Sequence, residues 1–489
     1  MNSGNDYREN PLARTKIIAT VGPACESREA LRDLIQRGVD IFRLNFAHGS
    51  HEWLSGIVAN VRSLSEELDQ PVGLLGDLSG PKIRLGKLPG DSVSCPDGST
   101  FTFVRGREAA SDFELTCTYE PLIDDVKAGD RILLADGTVG MRVEETDPSA
   151  GWARCVVEAG GIIRSRQGVN LPGVALSTPS LTEKDRVDLE WAIENEIDFV
   201  GLSFVRSPDD VRLLRTCIEA SGTQTPPLIV SKIEKGEAVA QLEAIIDESD
   251  AVMVARGDLG VEVDIVTVPG IQKRIIRLCN QKRVPVITAT QMLDSMQQNE
   301  LPTRAETSDV ANAVLDGSDA VMLSGESAIG EYSREAVAMM SRIVRDAERL
   351  LETHPIVRED LSATSAQAQI ITEAVAIGAV ATAERLDAGM IAVATVSGRS
   401  ALAISKERRQ VPVLAVCKSW RTARRMTLLW GITPIVWQQA AQTGDELAEF
   451  ATAWGLKECA LKVSDTVVVV ASSHWSARGH DAMLVHVVE

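Results

Sequence analysis

The chain has 489 residues, of which 44% are hydrophobic and 24% are charged, a composition typical of globular proteins. This length is too great for one hydrophobic core, so we expect about two to four domains. The 69 acidic and 50 basic residues give a net charge of -19, which argues against nucleic-acid binding through phosphates. No apolar run is long enough to form a transmembrane helix, so we expect no membrane association.

The N-terminal segment and the cysteines indicate the compartment. The segment MNSGNDYRENPLARTKIIATVG lacks the apolar core of an export signal, so we expect a cytoplasmic location. The eight cysteines are scattered, with no Cys-x-x-Cys pair and no histidine partner at zinc spacing. We therefore expect reduced thiols rather than disulfides or a zinc site.

Eight short apolar runs, each followed by a polar turn, predict strands that alternate with helices. The runs are KIIATVG, IFRLNF, VGLLGDL, FVGLSFV, LIVSKI, AVMVARGD, PVITATQ and AVMLSGE. Helical periodicity appears between them in ESREALRDLIQRGV, EKDRVDLEWAIENE and ETSDVANAVLDG. Because such alternation implies parallel pairing, and eight units close a barrel, the sequence predicts an α/β protein with a (β/α)8 TIM barrel.

Two further segments depart from the barrel rhythm. Residues 83–178 are rich in turns and predict a hairpin at Asp136-Gly137, so we expect an inserted small β-barrel domain over the C-terminal face of the barrel. After the polar linker LETHPIVREDLSATS, the runs MIAVATVSGRSA, VPVLAVC and DTVVVVAS predict a C-terminal α/β domain. The predicted boundaries are 1–82 and 179–352 for the barrel, 83–178 for the insert and 353–489 for the C-terminal domain.

Polar residues close most of the predicted barrel strands, at the face where active sites of this fold lie. Lys232 and Glu234 are costly inside an apolar strand unless they face a site or each other. A structural ion pair is the alternative, but the repetition at successive strands favours a site. The strand-end residues are Arg43, Asn45, Asp77, Lys232, Glu234, Arg256, Asp258, Thr290, Ser324 and Glu326.

The residue types at these strand ends indicate the chemistry. Glu234 and Asp258 offer two carboxylates on adjacent strands, the ligand type that holds Mg²⁺. Arg43, Lys232 and Arg84 add cations that can clamp a phosphoryl group, whose transfer is stabilised largely by such charges. These residues predict magnesium-dependent chemistry on a phosphorylated small molecule.

The ARGDLG turn offers a second kind of site. It places the amides of Gly257 and Asp258 at a possible helix start, where a carboxylate can bind. A simple Asp helix cap explains the same turn.

An ordered series of motifs shows what the chain resembles. They are KIIATVGPAC, IFRLNFAHGSHE, GDLSGPKIR, GVNLPG, LTEKD, VSKIEKGEAV, VMVARGDLGVE, ITATQMLDSM and PTRAETSDVANAVLDGSDAVMLSGESAIGEYSREAV. In this order they resemble the pyruvate kinase family over about residues 14–489. The resemblance implies a glycolytic phosphotransferase that passes the phosphoryl group of phosphoenolpyruvate to ADP, giving pyruvate and ATP. It also implies Mg²⁺ or Mn²⁺ as cofactor, a homotetramer and allosteric control.

The resemblance also implies a role for each candidate residue. It implies that Arg43 and Lys232 bind the phosphoryl group and that Glu234 and Asp258 bind the metal. The amides of Gly257 and Asp258, with Thr290, would bind the substrate carboxylate, and Ser324 and Glu326 would form a polar network behind Thr290. The residues on the nucleotide side would be Asn45, His48, Arg84 and Pro23. Thr290 also matches the proton-delivery region. A structural loop histidine is an equal alternative for His48.

Three departures from the family pattern concern potassium. Many members build a potassium site in motifs of the form N-F-S-H-G and D-T-K-G-P-E-I-R, where this chain has Ala47, Leu78 and Lys82 in place of serine, threonine and glutamate. The loss of two oxygen ligands weakens such a site, and the lysine adds positive charge. We predict that the Lys82 ammonium, near Asp77, replaces potassium; a solvent-facing hinge lysine is the alternative.

A strand, a small-residue turn and a helix start in the C-terminal domain predict an anion site. In the family this loop binds phosphorylated effectors, so the resemblance implies a sugar phosphate or nucleoside monophosphate here. Val396 replaces a cation of members that respond to fructose bisphosphate, and a plain helix cap is the alternative. The predicted effector residues are Thr395, Ser397, Gly398, Arg399 and Ser400.

Two other functions remain open on the sequence. A metal-dependent lyase or aldolase also uses carboxylate-bound Mg²⁺ to stabilise an enolate. A catalytically inactive metabolite sensor would retain only the C-terminal site. The arginines and the inserted domain disfavour the first, and the intact set of lysine, carboxylates and threonine disfavours the second.

Overall fold

The computed structural model describes residues 13–353, 367–438, 443–458, 460–471 and 482–489. The first part of the barrel contains β1 (Lys16–Thr20), α1 (Arg28–Gln36), β2 (Ile41–Asn45), α2 (His51–Glu67) and β3 (Gly73–Asp77). The inserted domain contains β4 (Ser92–Cys95), β5 (Thr100–Val104), β6 (Glu114–Leu115), α3 (Leu122–Asp125), β7 (Arg131–Leu134), β8 (Val139–Asp147), β9 (Trp152–Ala159), β10 (Gly161–Arg164) and β11 (Val169–Asn170).

The barrel then resumes, and the C-terminal domain follows it. The second part of the barrel contains α4 (Glu183–Glu194), β12 (Phe199–Leu202), α5 (Pro208–Ala220), β13 (Leu228–Ile233), α6 (Gly236–Ala240), α7 (Leu242–Glu248), β14 (Ala251–Ala255), α8 (Arg256–Glu262), α9 (Val268–Gln281), β15 (Val286–Ala289), α10 (Arg304–Leu315), β16 (Ala320–Leu323), α11 (Gly325–Ala328) and α12 (Ser333–Thr353). The C-terminal domain contains α13 (Gln367–Arg385), β17 (Met390–Ala394), α14 (Arg399–Ser405), β18 (Val413–Cys417), α15 (Trp420–Met426), β19 (Ile432–Val436), α16 (Gly444–Lys457), β20 (Thr466–Ala471) and β21 (Ala482–Val487).

Eight parallel strands close into a barrel in the order β1-β16-β15-β14-β13-β12-β3-β2, which confirms the predicted (β/α)8 architecture. The strands are apolar because helices cover their outer faces and side chains fill the interior. Helices α4 and α10 begin at capping boxes, in which the hydroxyls of Thr182 and Thr303 accept hydrogen bonds from backbone N–H groups. Strands β2, β3 and β13 carry predicted polar residues at their C-terminal ends, whereas β14, β15 and β16 end just before theirs.

The inserted domain forms a six-stranded sheet, β11-β7-β8-β9-β5-β6, and a two-stranded sheet, β10-β4, around its own core. The hairpin of β7 and β8 is present, and its turn at Ala135, Asp136 and Gly137 has positive φ angles. Pairing among the described strands leaves the larger sheet open, so the small inserted β domain that we predicted is a partial barrel.

The C-terminal domain is a five-stranded sheet in the order β19-β18-β17-β20-β21, in which β21 runs antiparallel to its neighbour. The three predicted strands are present as β17, β18 and β20. Residues 354–366, which include most of the predicted linker, lie outside the described part of the chain. The predicted domain boundaries are therefore still predictions.

Buried ion pairs join the C-terminal domain to the base of the barrel. Lys406 Nζ lies 2.6 Å from Oδ2 of Asp319, and Arg408 NH2 lies 2.9 Å from its Oδ1. Asp198 pairs in the same way with Arg424, at 2.9 Å. Burial lowers the pKa of Lys406 to about 8, although Asp319 opposes this shift. Within the described ranges, no helix has the length and apolar character needed to cross a bilayer.

Candidate active site

A chain of buried charges lies at the C-terminal ends of β2, β3 and β13. Arg43 Nε is 2.6 Å from Asp77 Oδ2, and Lys232 Nζ is 3.3 Å from Asp77 Oδ1. The same ammonium is 2.8 Å from Glu234 Oε1. Parallel strands bring these ends to one edge, so residues far apart in sequence form one cluster. The structure thus brings together Arg43, Asp77, Lys232 and Glu234.

The opposite charges of Lys232 and Asp77 stabilise each other's ionised form. Burial alone would lower the pKa of Lys232, but the carboxylates of Asp77 and Glu234 outweigh burial and raise it above the ordinary value. Burial opposes ionisation of Asp77 too, yet Lys232 and Arg43 hold its pKa below the ordinary value. The cluster therefore pairs the cations of Arg43 and Lys232 with the carboxylates of Asp77 and Glu234 at the ends of the strands.

The two candidate metal ligands are close to each other. Burial raises the pKa of Glu234, Lys232 opposes the rise, and the charge of Asp258 adds to it. The negative charge of Asp258 disfavours the ionised form of Glu234, and a divalent cation held by both carboxylates would relieve this repulsion. Among the described residues there is no cluster of three or more His, Cys, Asp or Glu side chains suited to a metal. A pair of carboxylates that leaves positions for substrate oxygens is the arrangement Mg²⁺ prefers.

Two residues at the end of β12 support this cluster, and sequence reasoning missed both. Ser203 Oγ accepts a hydrogen bond from Lys232 Nζ at 2.8 Å and donates one to the carbonyl of Leu78 at 2.7 Å. The backbone N–H of Phe204 donates to Glu234 Oε2 at 2.8 Å, from a residue with a φ of 55°. Neither residue is charged, so the expectation of charged strand ends did not extend to FVGLSFV. The only polar residue in that run is the serine.

Thr290 stands in a strained turn after β15. Its φ is 70°, a left-handed value that costs a β-branched residue about 1–3 kcal/mol. Arg256 holds the turn by donating from NH2 to the carbonyl of Thr290 at 2.8 Å, and the Gly257 N–H donates to Thr290 Oγ1 at 2.8 Å. The structure thus joins Gly257 to Thr290 by a hydrogen bond, and Arg256 binds the carbonyl of Thr290.

Ser324 and Glu326 lie at the end of β16, behind this turn. Glu326 Oε2 accepts the backbone N–H of Ser324 at 2.8 Å, and its Oε1 accepts that of Leu293 at 3.0 Å. Burial raises the pKa of the Glu326 carboxyl despite these hydrogen bonds. The pair forms a polar network next to the loop that follows Thr290.

The predicted nucleotide-side residues are more dispersed. Asn45 Oδ1 accepts the backbone N–H of Ala47 at 3.1 Å, and both His48 and Pro23 are exposed. Arg84 lies in the inserted domain, where its NH1 donates to the carbonyl of Arg166 at 3.2 Å. The structure does not bring these residues into direct contact with one another in the part of the chain it describes.

Lys82 is exposed, and the structure does not bring it to Asp77. Its stem runs beside Gly168 of the inserted domain, where a Cβ added to Gly168 would lie 4.0 Å from Lys82 Cε. Arg43 and Lys232 are the cations that pair with Asp77 in the described structure. Lys82 lies in the hinge, where no strand periodicity fixes the direction of its side chain.

The predicted effector loop joins β17 to α14. Thr395 is buried and its Oγ1 accepts the N–H of Gly398 at 2.9 Å, while the φ of Gly398 is 84°. Ser397 and Arg399 are exposed, and Arg399 Nε donates to Ser397 Oγ at 3.3 Å. Ser400 is buried at the start of α14.

Comparison with known proteins covers both main domains. The family model "Pyruvate kinase, barrel domain" matches residues 12–337, and "Pyruvate kinase, alpha/beta domain" matches residues 373–486. Pyruvate kinase 2 of Synechocystis is 45% identical over 432 residues, which are 87% of this chain and 71% of that protein. Pyruvate kinase of Clostridium acetobutylicum is 41% identical over 480 residues, 98% of this chain and 100% of that protein. The pyruvate kinase of Geobacillus stearothermophilus is 40% identical over 481 residues, 97% of this chain and 80% of that protein. A barrel with charged side chains at its strand ends, and matches of this extent, place the chain in the pyruvate kinase family of phosphotransferases.

Proposed function

We propose that the chain transfers the phosphoryl group of phosphoenolpyruvate to ADP, giving pyruvate and ATP, with Mg²⁺ or Mn²⁺ as cofactor. The observation that carries this proposal is the buried chain of Arg43, Asp77, Lys232 and Glu234 at the active face of the barrel. A loose phosphoryl-transfer transition state needs positioned positive charge more than a covalent catalyst. Homotetrameric assembly and a cytoplasmic, glycolytic role are further parts of the proposal.

The residues at the strand ends have different roles in this reaction. Arg43 and Lys232 bind the phosphoryl oxygens and stabilise the charge that spreads over them. Glu234 and Asp258 would hold the divalent cation, which supplies charge neutralisation when it is bound. Thr290 lies where the enolate left by phosphoryl loss takes up a proton.

Other residues hold these groups in place and bind the second substrate. Ser203 and Phe204 orient Lys232 and Glu234, so the phosphoryl group meets fixed rather than mobile charges. The amides of Gly257 and Asp258 bind the substrate carboxylate, which then replaces Thr290 Oγ1 as the acceptor of the Gly257 N–H. Ser324 and Glu326 lie behind Thr290. Asn45, His48, Arg84 and Pro23 lie on the nucleotide side.

We propose further that the reaction does not require potassium. Leu78 is buried among apolar side chains and Ala47 has no side-chain oxygen, so two positions of the family's potassium site offer no side-chain ligand. Asp77 Oδ1 is buried, and among the described residues its cationic neighbour is the Lys232 ammonium at 3.3 Å. Lys82 lies in the hinge and its stem runs beside Gly168, so a movement of the inserted domain would bring its ammonium toward Asp77.

The test is pyruvate formation from phosphoenolpyruvate, ADP and Mg²⁺ in a buffer whose monovalent cation is a bulky quaternary ammonium. We expect the wild type to run at similar rates with and without added potassium. We expect Lys82→Met to lose about tenfold or more in rate in both buffers, because no cation then replaces the ammonium. A wild-type rate that appears only with potassium, or an unchanged Lys82→Met rate, would contradict the role of Lys82. No rate in any buffer would contradict the proposed reaction itself.

We also propose that the loop from Thr395 to Ser400 binds a phosphorylated effector. The exposed Arg399 guanidinium lies at the end of a parallel strand, where ligands of open α/β sheets bind. With ribose 5-phosphate and AMP as probes, Arg399→Ala should raise the activation constant by about tenfold or more, because a charge-assisted contact is lost. Arg409→Ala, beyond the C-terminal end of α14, is the control, since Arg409 pairs with Glu384. The proposal is rejected if neither probe activates the wild type, or if the activation constant of Arg399→Ala is unchanged.

A further inference from the structure

A buried carboxylate outside the catalytic cluster joins three parts of the molecule. Glu262 is the last residue of α8, the helix that carries the metal-ligand candidate Asp258 in its first turn. Its Oε1 lies 2.6 Å from Lys235 Nζ and accepts a hydrogen bond from Asn170 Nδ2 at 3.2 Å. Its side chain is only 2% exposed, and that of Lys235 is 6% exposed. Burial of a carboxylate costs desolvation free energy, so its charged and hydrogen-bonding partners must offset that cost.

The two partners of Glu262 belong to different domains. Asn170 ends β11, the last strand of the inserted domain, whereas Lys235 directly follows the metal-ligand candidate Glu234 on the barrel. A second contact reinforces the first at the same helix. The turn between β7 and β8 lies over Val261, since a Cβ added to Gly137 would be 3.5 Å from Val261 Cγ1. The C-terminal turn of α8 is therefore the surface on which the inserted domain rests.

Lys235 also connects this contact to the metal carboxylate. Its ammonium lies 5.8 Å from the ring centroid of Phe204, within the range of a cation–π contact. The N–H of Phe204 is the group that donates to Glu234 Oε2. A displacement of Lys235 therefore acts on Glu234 both along the chain and through Phe204.

We propose that Glu262 is a positioning residue that fastens the inserted domain to the barrel and links the closure of that domain to the geometry of Glu234. This rests on the proposed function, in which Arg84 of the inserted domain and Asn45 of the barrel both lie on the nucleotide side. The amide of Asn170 and the ammonium of Lys235 both bind Oε1 of Glu262. A change in one of these two contacts therefore alters the geometry of the other. The carboxylate touches no reacting atom, so its effect is on substrate binding and on closure.

Asn170→Asp tests this link by placing a carboxylate against Glu262. We expect the KM for ADP to rise about tenfold, with a smaller change in the KM for phosphoenolpyruvate, because like charges repel the domain from α8. Hydrogen–deuterium exchange of residues 168–172 and 259–263 should become faster in the absence of substrates. Glu158→Gln, on the exposed face of the same domain, is the control and should match the wild type.

The double variant Asn170→Asp with Glu262→Gln separates a specific contact from general damage. The glutamine amide can donate to the new aspartate, so we expect both the KM for ADP and the exchange rates to return most of the way to wild-type values. No recovery, or an Asn170→Asp variant with wild-type KM and exchange, would overturn the proposal. The exchange measurement needs no catalysis, so it reports on this contact even if the proposed reaction is absent.

Discussion

Lys232→Met is expected to lower kcat for pyruvate formation by about 10³-fold or more, because it removes the cation at the centre of the charge chain. The ammonium bridges Asp77 and Glu234 and is oriented by its hydrogen bond to Ser203 Oγ. Methionine has a similar length and no charge, so the cavity stays filled. The loss of activity is therefore electrostatic. We expect a large fall in kcat with only a small change in the thermal midpoint of unfolding.

The measurement is steady-state kinetics with both substrates varied. Lys273→Met is the control, since this lysine lies on the outer helix α9 and pairs with Asp316 away from the active face. It should keep wild-type kcat. A Lys232→Met enzyme that keeps kcat within tenfold of the wild type would remove Lys232 from the reaction and leave it a structural ion-pair partner.

Asp319→Asn is expected to cause the largest loss of stability, about 3–5 kcal/mol, because it leaves two buried cations without their counterion. Lys406 and Arg408 both pair with Asp319 at the base of the barrel. Asp319 Oδ2 also accepts the N–H of Val286 at 2.7 Å, at the start of β15. The variant therefore weakens the join between two domains and one strand of the barrel.

Calorimetry should show this loss as a fall of roughly 10 °C in the midpoint of the transition that contains the barrel. Asp209→Asn is the control, because its ion pair with Arg212 is largely exposed and such pairs contribute little. A midpoint within 2 °C or so of the wild type would mean that the buried pairs add no net stability. Activity measured well below the transition should change little in either variant.

The barrel could be predicted because its strands are buried on both faces. Runs such as LIVSKI and AVMLSGE are then continuously apolar and stand out from the amphipathic helices between them. Two strands of the C-terminal sheet were missed. Pro434 interrupts β19, a sign that usually argues against a strand, but β19 is an edge strand that tolerates proline. The other, β21, is the antiparallel strand at the opposite edge, outside the strand–helix alternation that the prediction followed.

The site was predictable where it uses charge and not where it uses backbone or geometry. Arg43, Lys232 and Glu234 are conspicuous because charged groups are costly at the end of a buried strand. Phe204 acts through its backbone N–H and an unusual φ angle, and neither feature can be predicted from the type of residue. The place of Lys82 depends on the path of a hinge, so sequence spacing from Asp77 did not determine it.

The most direct test of the proposed reaction centre is the rate of pyruvate formation as a function of free Mg²⁺ for the wild type and Glu234→Gln. We predict no turnover without a divalent cation, and a half-saturating Mg²⁺ concentration about tenfold or more higher in the variant. Glu348→Gln, which alters a buried carboxylate at the base of the barrel, should leave that concentration unchanged. Equal magnesium dependence in wild type and Glu234→Gln would contradict the assignment of the phosphoryl-transfer centre to this cluster.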